Sequence, residues 1–420
     1  MDKMADVLGR AGAWCGQNKY LSAIKNAFQN FMPLTIAGAI GVLWCNVLVN
    51  ESTGLGIFFK PIMALEFLNP AFQAVNFCTI SCITVGITLG IAQEIGVWNM
   101  GAEKAGYIPG LVGLAAWLSV TNTSHMVEGA KEAFTGIAGN ELGATGLFTG
   151  MIIGVLSVEL FCFFEKQDAL KIKMPEQVPP GVARAFEVLV PATITLIITA
   201  CIGSACYNLT GLYLNDVIKN GIQGPLGAVG ATIPGVMIIY LVIMLFWLVG
   251  IHGNNMLSAV KEALFTPLAL ENVEKFNKGE KPTNIINMYA LQMWGEFGGS
   301  GVTIGLVIAI MIFGKREDNK AIATLSLVPG LFNINETVTF GIPMVLNPIL
   351  GIPFVFACLV TILVGYVLTV IGFCPVACLT VPWTTPPIVF GFLATGANVM
   401  GAVTQAILIV VSTVIYVPFL

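Results

Sequence analysis

Charge is absent from long stretches of this chain, and the gaps between charges set the elements it predicts. The first uncharged run is Phe31–Val49; further apolar runs follow at Phe72–Ala92, Tyr107–Thr121, Leu142–Phe164 and Val188–Tyr207. A spanning helix takes about 20 mostly apolar residues, so each run predicts a membrane helix. Glu159 interrupts the fourth near its end, where a long side chain is expected to reach the interface. Ahead of them, Met1 to Gln29 is mixed and basic, with Lys3, Arg10, Lys19 and Lys25, and lacks the apolar core of a cleavable signal.

The pattern changes at Leu212–Gln223 (LYLNDVIKNGIQ), which is short and amphipathic and predicts a helix lying along the interface. Gly221–Ile251 is again uncharged and too long for one vertical helix. Lys261–Lys281 is the most charged stretch of the second half and is expected on the cytoplasmic side. A hairpin or an even number of crossings, broken at Gly299-Ser300-Gly301, would keep the basic loop Lys315–Lys320 on that side too. Ala321–Leu420 has length for about three or four spans, interrupted at Asn335-Glu336, at Pro343, Pro348 and Pro353, and at Pro382–Pro387. The basic segments, Met1–Gln29 and Glu165–Arg184, fall on one side if the first four runs all cross; the positive-inside rule makes that side cytoplasmic, with the N-terminus.

Composition agrees. The 420 residues are 56% hydrophobic and 10% charged, against about 25% charged in soluble domains. Mean hydropathy is +0.86. Lipid is therefore the solvent for most of the chain, and an all-α polytopic membrane fold follows, because only helices and closed barrels satisfy their backbone in hydrocarbon. The charges lie in short loops and form no nucleic-acid footprint. Cysteines pair at spacing four in Cys78/Cys82 and Cys374/Cys378. On a helix that spacing puts both thiols on one side; without His or carboxylate nearby it predicts core packing and no metal site.

One residue changes the picture most. From Ala321 onward there is no Lys, Arg, His or Asp, and Glu336 is the only Glu. An ionisable group at the centre of a lipid-buried helix costs roughly 3 kcal/mol or more and usually marks a site or pathway, although a carboxylate satisfied by backbone N–H groups is the alternative. Of the two histidines, His125 lies in the polar stretch Thr121–His125 and reads as loop surface. His252 closes a long apolar run, where it fits a satisfied helix end as well as a functional group. Its weight comes from company. Four polar interruptions lie in the second half: Gly250–Asn255 with Gly253 and Asn254, Gly298–Gly301 with Gly299 and Ser300, Asn333–Pro343 with Asn333, Asn335 and Glu336, and Pro382–Pro387 with Trp383 and Thr384. Amides, hydroxyls, a carboxylate, an imidazole and two tryptophans, Trp247 and Trp383, suit a sugar: aromatic faces pack on the ring and polar groups bond its hydroxyls.

At these motifs the chain resembles the membrane permease subunit, enzyme IIC, of the bacterial phosphoenolpyruvate-dependent sugar phosphotransferase system, in its lactose/cellobiose/N,N′-diacetylchitobiose branch. The pieces that carry the resemblance are WLVGIHG at Trp247–Gly253, TPLALEN at Thr266–Asn272, FGGSG at Phe297–Gly301 and FNINETVTFGIPMVLNP at Phe332–Pro348. Thr337 stands where members of that family usually carry Pro. The resemblance implies about ten transmembrane helices plus re-entrant hairpins. It implies an N-terminal dimerisation part over residues 1–211, a connector at 212–223 and a transport part over 224–420. It implies a homodimer in the bacterial cell membrane, a disaccharide substrate, and a phosphorylated enzyme IIB partner with IIA, HPr and enzyme I upstream. It implies no cofactor. Glu336 and His252 would lie at the hydroxyl that receives phosphate. A proton-coupled secondary sugar transporter using Glu336 as its proton site is the competing expectation, and a receptor or scaffold that moves no sugar is the third.

Overall fold

The computed structural model describes residues 2–51, 56, 59–125, 133–175, 177–342, 344 and 347–420. Pro343 and the remainder of its motif at 345 and 346 lie outside the described residues. Among the described residues, five helices are long and apolar enough to cross a membrane: Lys19–Leu48, Ala144–Glu165, Pro180–Thr210, Ile349–Val370 and Val399–Phe419. A sixth is possible if Lys60–Ser81 and Ile83–Met100, bent by 42°, form one span. The predicted run Phe72–Ala92 therefore straddles a bend at Cys82. Tyr107–Thr121 gives a helix of only 13 residues, Ile108–Val120. Gly221–Ile251 is divided into Gly224–Gly230 and Ile233–Leu248. Among the described residues after Ala321, two helices reach spanning length, against the three or four spans expected; much of the rest is short helix and turn.

Contacts group the chain into two compact units. The first is Met1–Gln17, Ile36–Asn76 and Gly227–Leu420; the second is Asn18–Thr35 and Phe77–Leu226. The change at residue 226 lies just beyond the expected connector, and Leu212–Gln223 falls within the second unit. Two early segments join the C-terminal part, an arrangement that chain order alone does not show. The connector is helical from Leu214, and Asn215 and Ile218 are buried.

In the second unit, glycines let a neighbouring helix's side chains sit directly against the backbone. A Cβ on Gly96 would stand 2.2 Å from Pro109, and one on Gly113 would stand 2.3 Å from Ala92. At contacts that short a larger residue forces its neighbour to move. Two carboxylates here are paired with cations. Glu159, expected at the interface, forms a salt bridge of 2.5 Å with Lys19. Glu165 is buried and held by Lys104 at 2.8 Å and Arg184 at 3.0 Å.

The first unit has a continuous apolar core around Tyr240, Trp247, Phe265, Trp294, Phe297, Phe354 and Tyr416. Its irregular segments run through this core and need internal partners for their backbone. Asn272 and Asn287 supply them. Each donates to the Ala377 carbonyl, at 3.0 and 3.1 Å, and each accepts from two backbone N–H groups. Gln405 accepts from the Ile388 and Gly391 N–H groups and donates to the Met293 carbonyl. Cys374 and Cys378 are buried as expected, but in non-helical chain, because the turn after Ile371 ends the helix before them; Cys78 is exposed. His125 sits at a two-residue strand pairing with Phe134, its Nε2 3.2 Å from the Asn122 carbonyl.

Candidate functional site

All four polar interruptions belong to the first unit. The Gly-Gly-Ser-Gly segment separates helix Met288–Gly295 from helix Ile304–Phe313, at the break the sequence predicts. Gly298, Gly299 and Gly301 take φ of 70°, 87° and 78°, the left-handed region that glycine alone enters freely. Space matters as well: a Cβ on Gly299 would meet Asn335 at 2.7 Å.

Asn333 ties three segments together. Its backbone is left-handed, φ 63°, which Asn tolerates better than most residues. Its Nδ2 donates to the Trp383 and Thr385 carbonyls at 2.5 and 3.0 Å, and its Oδ1 accepts from the Gly298 N–H at 2.7 Å. Asn335, 4% exposed, donates to the Ser300 carbonyl at 2.8 Å. Asn335 also caps the short helix Glu336–Gly341, whose first internal bond runs from the Thr339 N–H to the Asn335 carbonyl. Glu336 thus occupies the first turn, where free N–H groups favour a carboxylate. Its side chain is 49% exposed, so the carboxylate is not sealed among backbone donors.

His252 reaches it from another element. The chain turns sharply after helix Ile233–Leu248, and a Cβ on Gly253 would fall 2.0 Å from the Ile243 carbonyl. That close return lays the imidazole against Trp247, with ring centroids 4.6 Å apart. His252 Nδ1 accepts from the Asn255 N–H at 3.2 Å. In the neutral ring the proton is then on Nε2, and Nε2 stands 3.9 Å from Glu336 Oε1. This gap is too long for a direct hydrogen bond. A hydroxyl placed between the two could accept from the imidazole and donate to the carboxylate.

The other expected site residues divide. Trp383 is 44% exposed; Thr384, beside it, is half-buried. Trp247, expected to stack on a ring, is 2% exposed and supports the imidazole instead. Asn254 donates from Nδ2 to Ser300 Oγ at 2.9 Å, so its amide, like that of Asn333, is engaged by protein. Gly253 and Gly299 act through the space they leave.

Sequence reasoning missed a buried charge cluster behind these loops. Lys261, at the start of the charged stretch expected on the cytoplasmic side, is 5% exposed and forms an ion pair with Glu296. The Tyr240 hydroxyl donates to Glu296 Oε1 at 2.6 Å, and Lys261 Nζ donates to Asn254 Oδ1 at 3.3 Å. The available signal was that Lys261 and Glu296 each lie a few residues from a polar motif, Gly250–Asn255 and Gly298–Gly301.

Known proteins resemble this chain over most of its length. Residues 25–358 match the family described as phosphotransferase system, EIIC. An oligo-beta-mannoside-specific EIIC component of Bacillus subtilis is 33% identical, over 100% of this chain and 93% of its own. A cellobiose-specific EIIC component of Lactococcus lactis is 29% identical, over 99% and 96%. The crystal structure of the transporter ChbC, the IIC component from the N,N′-diacetylchitobiose-specific phosphotransferase system, superposes with a TM-score of 0.88 at 29% identity, covering 97% of this chain and 94% of that one. The match in sequence and in fold settles the family: the chain belongs to the EIIC proteins of the phosphotransferase system, integral membrane permeases for sugars.

Proposed function

We propose that this protein binds a β-linked disaccharide of the cellobiose, N,N′-diacetylchitobiose or lactose kind, carries it inward by alternating access, and presents its 6-hydroxyl to phosphorylated enzyme IIB. The observation that carries the reading is the pair His252 Nε2 and Glu336 Oε1, 3.9 Å apart and both partly exposed. A primary alcohol between them would lose its proton to Glu336 as its oxygen attacks phosphorus. The S–P bond of the IIB phosphocysteine breaks, the sugar O–P bond forms, and His252 donates to the sugar or to a phosphoryl oxygen. The β-linked class is supported by the sugars in the names of its relatives. Trp383 would pack on a ring face and Thr384 would offer a hydroxyl, while Ser300, buried and bonded to Asn254, would hold the loops together with Asn254, Asn333 and Asn335.

In this reading the protein works as a homodimer, with residues 1–211 making the subunit contact and 224–420 moving the sugar. It has about ten spans plus re-entrant hairpins, with the N-terminus in the cytoplasm. The decisive experiment uses vesicles holding the protein, its IIB partner, a phosphoenolpyruvate-driven carrier chain and labelled disaccharides. The wild type should release one sugar as its 6-phosphate, and Glu336→Gln should bind that sugar but leave it unphosphorylated. Wild-type turnover by Glu336→Gln would end the assignment.

A further inference from the structure

Lys261, Glu296 and Tyr240 form a charged cluster inside the protein that the acceptor chemistry leaves unused. Burying an ion pair costs more than an apolar pair of the same size would, so packing alone does not explain it. Its direction does. The Lys261 ammonium only donates, so at Asn254 it selects the amide oxygen. That choice turns Asn254 Nδ2 toward Ser300 Oγ. The carbonyl of Ser300 in turn holds the Asn335 amide, and Asn335 is the residue before Glu336. On the other side Glu296 fixes Lys261 and is itself held by the Tyr240 hydroxyl from helix Ile233–Leu248.

We infer that Lys261 and Glu296 are positioning residues for phosphoryl transfer: the buried pair sets the orientation of Asn254, and through Ser300 and Asn335 it fixes where the Glu336 carboxylate stands opposite His252. The inference rests on the proposed role of Glu336. Each link joins a different segment, and all of them lie in one compact unit. A residue that only stabilised the fold would have no reason to affect turnover once stability was restored.

The test separates the two. Lys261→Met leaves Glu296 buried and unpaired; it should lower the melting temperature and reduce sugar phosphorylation about a hundredfold, as a displacement near 1 Å does. Sugar affinity measured on the purified protein should change by less than about threefold, because no sugar ligand is removed. In Lys261→Met/Glu296→Met the charges are gone together, so the melting temperature should return toward wild type while turnover stays low. Asn254→Leu cuts the chain without removing either charge of the ion pair; it should lower the melting temperature modestly through its lost hydrogen bonds, keep affinity and lose turnover, and it serves if the lysine variants do not fold. Recovery of both stability and turnover in the double variant, or wild-type turnover in Asn254→Leu, would overturn the inference. Glu336→Gln assayed alongside tells the failures apart: if it too phosphorylates sugar, the fault lies with the proposed function.

Discussion

A methyl group at Gly253 tests the geometry at its tightest point. An ideal Cβ there would sit 2.0 Å from the Ile243 carbonyl oxygen and 2.8 Å from its carbon. Both atoms belong to helix backbone, which cannot rotate away as a side chain can. Restoring ordinary contact takes a movement of about 1 Å, and the turn bearing His252 is the freer partner. Nε2 now stands 3.9 Å from Glu336 Oε1, so such a shift is a large part of the gap a hydroxyl must bridge. Misplacement on that scale costs about a hundredfold in rate, and overpacking costs about 1–3 kcal/mol in stability. The assay is phosphorylation of labelled disaccharide in vesicles with saturating phospho-IIB, beside thermal unfolding of purified Gly253→Ala. Gly181→Ala is the control, since nothing lies within 4 Å of a Cβ there. The expected result is a folded protein with strongly reduced turnover. Wild-type turnover in Gly253→Ala would show that the His252–Glu336 spacing does not govern the reaction.

Other substitutions read other links. Asn333→Ala removes three hydrogen bonds joining the Gly298, Trp383 and Glu336 segments; at about 1 kcal/mol each it should cost about 3 kcal/mol, seen as a lower melting temperature together with weaker sugar binding. Trp383→Ala should raise the sugar dissociation constant about tenfold with little loss of stability, since its ring is half-exposed. Trp247→Ala should instead lose about 3–5 kcal/mol of stability because the indole is fully packed; unfolding and binding curves on both proteins would reveal any exchange of these roles.

The legible part of this protein was its solvent and its chemistry. Long uncharged runs identify lipid-buried helices because hydrocarbon tolerates few alternatives, and the single acid after Ala321 marks the site because nothing else there ionises. Less legible was how charges and breaks are absorbed. Lys261 reads as surface because lysine is rarely buried without a partner, and its partner Glu296 lies 35 positions away. Glu159 has the same explanation, its Lys19 partner being still more distant in sequence. The spacing of Cys374 and Cys378 predicts a shared helix face only if a helix is there, and the turn after Ile371 removes it. Segment membership was hidden too, because Met1–Gln17 and Ile36–Asn76 join a unit composed mainly of residues 227–420 through tertiary contacts alone.

The polar residues of the neutral stretches have two jobs, and separating them explains why Glu336 stands out. Non-helical chain inside an apolar unit exposes carbonyls and N–H groups that water cannot reach, and each one left unpaired costs about 1–3 kcal/mol. Asn272, Asn287, Asn333 and Gln405 each bond two or more such groups with a short neutral amide, which donates and accepts at once and needs no counter-ion. An acid is poorly suited to that work, since it offers acceptors only and must be desolvated as an ion. Glu296, a mostly buried acid near the site, is accordingly matched to a lysine and a phenol. Glu336 departs from both patterns. Its one partner in ion-pair range among the described residues is an imidazole at 3.9 Å, across a gap wider than a hydrogen bond, and its side chain is half-exposed. A carboxylate held by its helix start and left incompletely matched is suited to a third group that arrives, donates a proton and leaves, as the hydroxyl of a sugar would.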